Sequence, residues 1–310
     1  MSDFCRNAPQ RLVASPVPSR VVLITGCSSG IGRATAQRLN AAGWTVYATA
    51  RRREALSELE QAGCRTLALD VIDEDSMLRA VRAVEDREGA VGVLVNNAGY
   101  SQSGAVESVA LRAVRAQFET NVFGLVRMCQ LVLPAMREQR WGRIVNLSSM
   151  GGKLTFPGGG VYHASKHAVE AISDALRFEV RGFGVDVIVV EPGLIRSGFG
   201  ATASRGVPKS QAHAAANEDD CHDGDDDPYA AFNEAVGVAS ERAYERGPLA
   251  RLGGPPEAVA RTIAAALDAR RPRSRYTVTA SAKAMLALHA LLPDRAWDAF
   301  MAMQFPRPKS

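Results

Sequence analysis

The chain has 310 residues, 46% of them hydrophobic and 23% charged, the composition of a folded globular protein rather than a disordered or fibrous one. Its formal net charge of +4 is too small a bias to point to nucleic acid as a partner. Five scattered cysteines (Cys5, Cys27, Cys64, Cys129, Cys221) form no CxxC pair and no Cys/His ligand spacing, which argues against a disulfide framework or a zinc site and for a reducing, cytoplasmic setting.

Residues 1–19 lack an uninterrupted apolar core and read as a flexible arm, not a signal peptide. From Val21 short apolar runs alternate with helical patterns. The expected strands are Val21–Thr25, Thr45–Thr49, Thr66–Leu69, Val91–Val95, Ile144–Leu147 and Val185–Val190. The expected helices are Arg33–Ala42, Glu54–Gln61, Ser76–Glu88, a long stretch Val109–Gln139, and Tyr162–Arg181. Continuously apolar strands separated by helices imply a doubly wound parallel α/β sheet of Rossmann type, with helices on both faces. Ligands of such sheets sit beyond the C-terminal strand ends, at the point where strand order reverses.

After Pro192 the regularity fails. Residues 198–246 form an irregular excursion holding the acidic run Glu218–Asp227, which has no EF-hand spacing and reads as a solvated loop. Helical patterning covers Ala230–Arg246 and Pro256–Arg270, a short strand Tyr276–Thr279 follows, and Ala282–Met303 is amphipathic with a break at Pro293. Too little sequence follows the excursion to build a second core, so residues 20–310 are expected to form one domain, with 281–310 a C-terminal helical extension. No apolar run is long enough to cross a bilayer, although that extension offers a face for peripheral membrane or subunit contact.

Three groups of residues carry chemistry. Thr25-Gly26-Cys27-Ser28-Ser29-Gly30-Ile31-Gly32 follows the first strand and opens a helix. Gly26 permits the tight turn, Gly30 lets a pyrophosphate approach the backbone, and Gly32 lets helix pack on sheet, while the helix N-terminus offers free N–H groups to phosphates. A plain tight turn gives the same glycines, but not the strand before and the helix after. The second strand ends without the carboxylate that binds an NAD ribose; Arg51, Arg52 and Arg53 stand there instead, and a guanidinium suits the 2′-phosphate of NADP. Finally, Tyr162 and Lys166 share a helix face at i and i+4. An ammonium about 4 Å from a phenol would lower its pKa by up to about three units and make it a usable acid/base. Ser149, just past a strand end, is placed to hydrogen-bond a substrate oxygen. Cys27, beside the glycine turn, reads as a small structural thiol rather than a redox switch.

With these motifs in order, the chain resembles the short-chain dehydrogenase/reductase family. It carries that family's TGxxxGIG turn, Asn96-Asn97-Ala98-Gly99, the Ser–Tyr–Lys set, the YxxxK spacing, and a variant of PGxIxT at Pro192-Gly193-Leu194-Ile195-Arg196-Ser197. The resemblance implies that Tyr162 is the general acid/base, that Lys166 lowers its pKa and holds the nicotinamide ribose, that Ser149 positions the carbonyl, and that Asn121 holds a water of the proton relay. It implies contacts to the cofactor NADP(H) from Gly26, Ser28, Ser29, Gly30, Ile31, Gly32, Arg51, Asp70, Val71, Asn97, Ala98, Gly99, Tyr162, Lys166, Pro192, Gly193, Ile195 and Ser197, with Asn96 supporting the sheet. It further implies that 198–246 is a substrate lid and that the protein is a dimer or tetramer. Leu23–Gly30 and Glu191-Pro192-Gly193 resemble the 17β-hydroxysteroid and retinol dehydrogenase branch, implying a bulky apolar alcohol or ketone (steroid-, retinoid- or polyketide-like). The competing reading is a catalytically silent NADP-binding regulator, against which the intact Ser149–Tyr162–Lys166 set stands. A dehydratase or epimerase on the same fold is a further alternative.

Overall fold

The computed structural model describes residues 19–197, 207, 227–245 and 251–306. The expected arm up to residue 18, most of the 198–246 excursion, and the acidic run apart from Asp227 lie outside the described residues.

Seven strands form one parallel sheet: β1 Val21–Ile24, β2 Thr45–Ala50, β3 Arg65–Ala68, β4 Val93–Asn96, β5 Gly142–Leu147, β6 Val185–Glu191 and β7 Arg275–Thr277. Their spatial order is β3-β2-β1-β4-β5-β6-β7. The chain therefore builds outward from β1 in one direction and returns to start β4 on its other side, which opens a crevice above β1 and β4.

The strands are apolar throughout because both faces are covered. Val22, Ile24, Val46 and Ala48 point to one side, where they meet helices α1 (Gly30–Ala41) and α2 (Ser57–Gln61). Leu23, Tyr47, Leu94 and Ile144 point to the other, against α3 (Glu74–Glu88) and, later in the chain, α5 (Gly124–Glu138) and α6 (Gly160–Val180). Asp73 caps α3 by accepting from the Ser76 backbone N–H at 3.2 Å.

The single helix expected over Val109–Gln139 is three pieces: α4 (Leu111–Phe118), one π-turn (Glu119–Phe123) and α5. The apolar periodicity of the two helices merges in sequence, so the extra residue of the π-turn leaves no trace in it. The expected Glu54–Gln61 helix begins as a 3-10 turn, Arg53–Leu56. After β6 come α7 (Ala230–Glu245), α8 (Pro256–Asp268), α9 (Ala280–Leu291) and α10 (Asp294–Ala302), with β7 between α8 and α9. Proline 293 does break the last amphipathic stretch, as expected, sitting just before α10. Helix α8 packs against α1, with Val259, Ile263 and Leu267 in the same core as Ala36 and Leu39. Helices α9 and α10 cover Met150, Leu154 and Leu194 with Met285, Trp297 and Met301.

Candidate active site

A cavity of about 560 Å³ occupies the crevice at the C-terminal ends of β1, β2 and β4–β6. It gathers Gly26, Ser28, Ser29, Gly30, Ile31, Arg51, Asp70, Val71, Asn97, Ala98, Gly99, Ser149, Tyr162, Lys166, Pro192, Gly193, Ile195 and Ser197 from segments far apart in the chain. Its size falls within the roughly 300–1,000 Å³ of pockets that take small molecules and cofactors.

The floor is the glycine turn. Gly26 has φ of +72°, and a Cβ there would come within 2.9 Å of Ala98 Cα, so only glycine serves. Helix α1 starts at Gly30 with no side chain capping its first turn and no acid in it. Its free N–H groups and positive dipole end therefore face the cavity, as a phosphate requires. Gly32 does not line the cavity. A Cβ on it would overlap the Gly26 carbonyl oxygen and the Asn97 side chain, so its place is the helix–turn contact and not a ligand contact.

Asn97 and Thr25 lock this turn to β4. Asn97 Nδ2 donates to the carbonyls of Thr25 and Gly26, both at 2.9 Å. Thr25 Oγ1 accepts from the backbone N–H groups of Asn97 and Ala98, each at 3.0 Å. The sequence marks Thr25 as a strand end and as the first residue of the TGxxxGIG turn; its buried hydroxyl becomes a tie because parallel pairing sets β1 beside β4. Asn96 lies outside the cavity and supports the sheet: its Nδ2 donates to Asn146 Oδ1 at 2.9 Å, and Asn146 donates on to Ser173 Oγ at 2.9 Å.

At the far end, β2 finishes with buried Ala50, and no acid takes the ribose position. Of the three following arginines only Arg51 lines the cavity, where it is exposed. Arg53 is held away by Glu60 at 2.7 Å and Thr66 Oγ1 at 3.1 Å. Asp70 and Val71 complete that end, with Ile72 beside them.

The near end holds the reactive set. Ser149 caps a 3-10 turn, its Oγ accepting from the Gly151 N–H at 3.0 Å. That bond occupies an acceptor site and leaves the Ser149 proton to the cavity, where its side chain is hydrogen-bonded with Tyr162. Burial pushes the Tyr162 phenol up to about 12, and the Ser149 bond pulls the other way. The lowering of this phenol expected from Lys166 does not appear. Lys166 Nζ lies 5.9 Å from the Tyr162 ring centroid and spends a hydrogen bond on the Leu147 carbonyl at 2.7 Å. Burial lowers Lys166 itself to about 8, against the opposing attraction of Glu170. Asn121 sits on the π-turn and is buried; it does not line the cavity. Its Nδ2 donates to the Tyr100 carbonyl at 3.0 Å and Ser165 Oγ at 3.1 Å, and its Oδ1 accepts from the Tyr100 N–H at 3.1 Å. The extra residue of the π-turn thus clips the segment after Asn97-Ala98-Gly99 to α6.

Pro192, Gly193, Ile195 and Ser197 form the lip. The Pro192 carbonyl accepts from the Met150 N–H at 2.9 Å, and Ile195 bridges to Gly254. Thr279 and Ser281, at the start of α9, fill the space beside Gly193 and are hydrogen-bonded to each other at 2.8 Å. The C-terminal extension thereby buttresses the lip, a role no motif announces. Under the lip a second chamber of about 150 Å³ is walled by Met150, Phe156, Leu194, Val236, Met285 and Phe305, and it shares Ser149, Tyr162 and Gly193 with the first. A wider groove continues outward past Phe156 and Phe305 to Phe232, Trp297 and Met301. Cys27 is fully buried and burial raises its thiol to about 12, which leaves it without thiolate character, as a structural thiol should be. Among the described residues no cluster of metal-ligating side chains occurs, and no helix is long and apolar enough to cross a membrane.

The sequence profile of the short chain dehydrogenase family matches residues 20–207. A solved short-chain dehydrogenase from Streptomyces avermitilis superposes with a TM-score of 0.72 at 36% identity, over 92% of this chain and 96% of that one. The chain is 34% identical to the NADPH-dependent 3-dehydrocapnine reductase of Ornithobacterium rhinotracheale over 289 residues, 90% of this chain and 95% of that protein. It is 44% identical to a 3-ketodihydrosphingosine reductase of Bacteroides thetaiotaomicron over 181 residues, 58% of this chain and 65% of that protein. The chain belongs to the short-chain dehydrogenase family, and it is an oxidoreductase acting on CH–OH groups and the carbonyls they become.

Proposed function

We propose that this protein uses NADP(H) to interconvert a carbonyl and an alcohol on a bulky apolar substrate. One observation carries the reading: Ser149 and Tyr162, hydrogen-bonded to each other, stand where the phosphate-receiving cavity meets the apolar chamber. A carbonyl carbon held there faces the cofactor while its oxygen meets two hydroxyl donors. Arg51, without a carboxylate beside it, supports the phosphorylated cofactor, as does the name of the 3-dehydrocapnine reductase relative. The apolar walls, and two relatives named for reducing 3-ketodihydrosphingosine and 3-dehydrocapnine, support an apolar substrate.

The nicotinamide supplies or accepts the hydride when bound. In the reducing direction Tyr162, protonated at neutral pH like any tyrosine and held more firmly so by burial, donates its proton to the forming alkoxide. Ser149 donates a hydrogen bond to the same oxygen as charge develops. Lys166 adds an ammonium at the site's rear wall and offers donors to the ribose; Asn121 holds the Tyr100 segment in register with α6. Residues 20–310 form the catalytic domain in this reading, with 198–246 its lid. Exposed Phe123 and Phe178, 54% and 87% accessible, support self-association through the long helices. Buried free thiols at Cys27, Cys64 and Cys129 fit a reducing cytoplasm.

The test is nicotinamide absorbance with NADPH and a panel of apolar ketones. Tyr162→Phe should remove turnover while NADPH still binds; full activity in that variant would sink the mechanism.

A further inference from the structure

Behind Lys166, away from the cavity, lies a group of charges that the reaction as described does not use. Glu170 is one helical turn beyond Lys166 on α6, so both side chains leave the same face, and both residues are buried, at 5% and 6% exposure. A buried carboxylate is costly to ionise without partners. Glu170 has two, Lys153 Nζ at 3.1 Å and Arg275 Nε at 3.0 Å, and both address the same oxygen, Oε2. Its other oxygen, Oε1, is buried without a hydrogen-bond partner. Arg275 is itself divided, reaching Asp174 at 2.6 Å and Glu191 at 3.4 Å, while Glu191 accepts from Thr277 at 2.7 Å.

The site is built to admit this carboxylate. Gly152 lies against it: a Cβ there would come within 2.6 Å of Ser148 Oγ and 3.0 Å of Glu170 Cγ. The charged and titratable groups around the pair are Tyr162, Asp174 and Arg177 from α6 itself, Lys153 from the turn after β5, Glu191 from β6 and Arg275 from β7. Acids and bases nearly balance, and of these carboxylates Glu170 is the one a single turn from Lys166 on the same helix face.

We propose that Glu170 is a positioning residue for Lys166: its buried carboxylate keeps the lysine in the ammonium form, and Lys153 sets how much of that negative charge the lysine feels. Burial alone drives Lys166 toward the neutral amine, and the attraction of Glu170 is what opposes it. A neutral Lys166 would still donate one hydrogen bond to Leu147 but would bring no charge to the nucleotide. The half-buried Lys153, 35% exposed, is then a trimming charge. At the roughly 6 Å between i and i+4 side chains and an effective dielectric near 20, a full charge is felt as about two pH units. Sharing with Lys153 and Arg275 reduces the expected effect to about one.

The inference rests on the reading of Lys166 as part of the catalytic set, but its first readout does not. The sequence has five lysines (Lys153, Lys166, Lys209, Lys283, Lys309), few enough to follow individually by heteronuclear NMR of lysine-labelled full-length protein, with Lys166→Arg giving the assignment. The expected result is a Lys166 midpoint near 8 in the native protein, lower by about one pH unit in Glu170→Gln, and higher by about half a unit in Lys153→Met. The two variants must move it in opposite directions. Lys153→Met removes a partly exposed side chain and keeps the test available should Glu170→Gln fold poorly. A midpoint unmoved by either, or moved the same way by both, overturns the proposal. The alkaline limb of kcat/KM for NADPH-dependent ketone reduction should follow the same shifts. A Lys166 midpoint that moves while the rate profile stays put upholds the role of Glu170 and removes Lys166 from the catalytic reading.

Discussion

Replacing Arg51 by alanine separates the two nicotinamide cofactors, and the structure sets the size of the effect. Arg51 lines the cavity at the end of β2 beside a neutral alanine, and neither neighbouring arginine can deputise at its place on the wall: Arg53 is held by Glu60 and Thr66, and Arg52 lies off the cavity. A charge-assisted hydrogen bond from a guanidinium to a phosphate contributes about 1.5–3 kcal/mol. Arg51 is exposed, so solvent screens it and the lower half of that range applies. Arg51→Ala should therefore weaken NADPH about ten- to fortyfold and leave NADH within about twofold. The loss should shrink as salt rises from about 0.05 to 0.5 M, because added salt shortens the range of an exposed charge. Fluorescence titration of both reduced cofactors at two salt concentrations measures this directly, with Arg53→Ala as the control that should change little. Equal losses for NADPH and NADH would refute the 2′-phosphate assignment.

Other outcomes follow from the same geometry. Gly32→Ala drives a methyl into the Gly26 carbonyl and the Asn97 amide, an overpacking that costs about 1–3 kcal/mol, so thermal unfolding should begin several degrees lower; an unchanged melting temperature would show that α1 can move away freely. His163 is buried and lowered to about 4, first by burial and then by His167, and its Nδ1 accepts from the Phe156 N–H at 3.1 Å. Because its folded pKa lies below the unfolded value, the stability it contributes is whole above about pH 6.5 and is lost as pH falls toward 4, by up to about 3 kcal/mol. Urea midpoints at pH 7 and 4.5 should show this loss, and His163→Asn should flatten it; an identical slope in the variant counts against the assignment. Cys27 should resist a thiol reagent at pH 8 in the folded protein and react at once in denaturant, and fast labelling of the native state would contradict its burial.

Much of the site is readable in the sequence because its parts obey local rules. The glycine turn needs φ > 0 at Gly26 and a helix N-terminus after it, and both requirements are written in consecutive residues. Tyr162 and Lys166 share a face through helix periodicity alone, and alternating apolar runs imply a covered parallel sheet. The missing acid after β2 is likewise a fact of residue order. What the linear order could not contain is whatever depends on two distant segments meeting. The bonds of Asn121 to Tyr100 and Ser165, the tie of Thr25 to Asn97, and the buttress of Thr279 and Ser281 under Gly193 all arise between segments far apart in the chain. The charge state of the reactive set belongs to the same class. From spacing alone Lys166 was expected to lie on the Tyr162 phenol and lower it; in the fold the ammonium turns to the Leu147 carbonyl, and burial raises the phenol instead. Desolvation is a property of everything packed around a group, so residue types and spacing determine which groups meet the cofactor cavity, and only the tertiary structure decides how those groups are charged once inside.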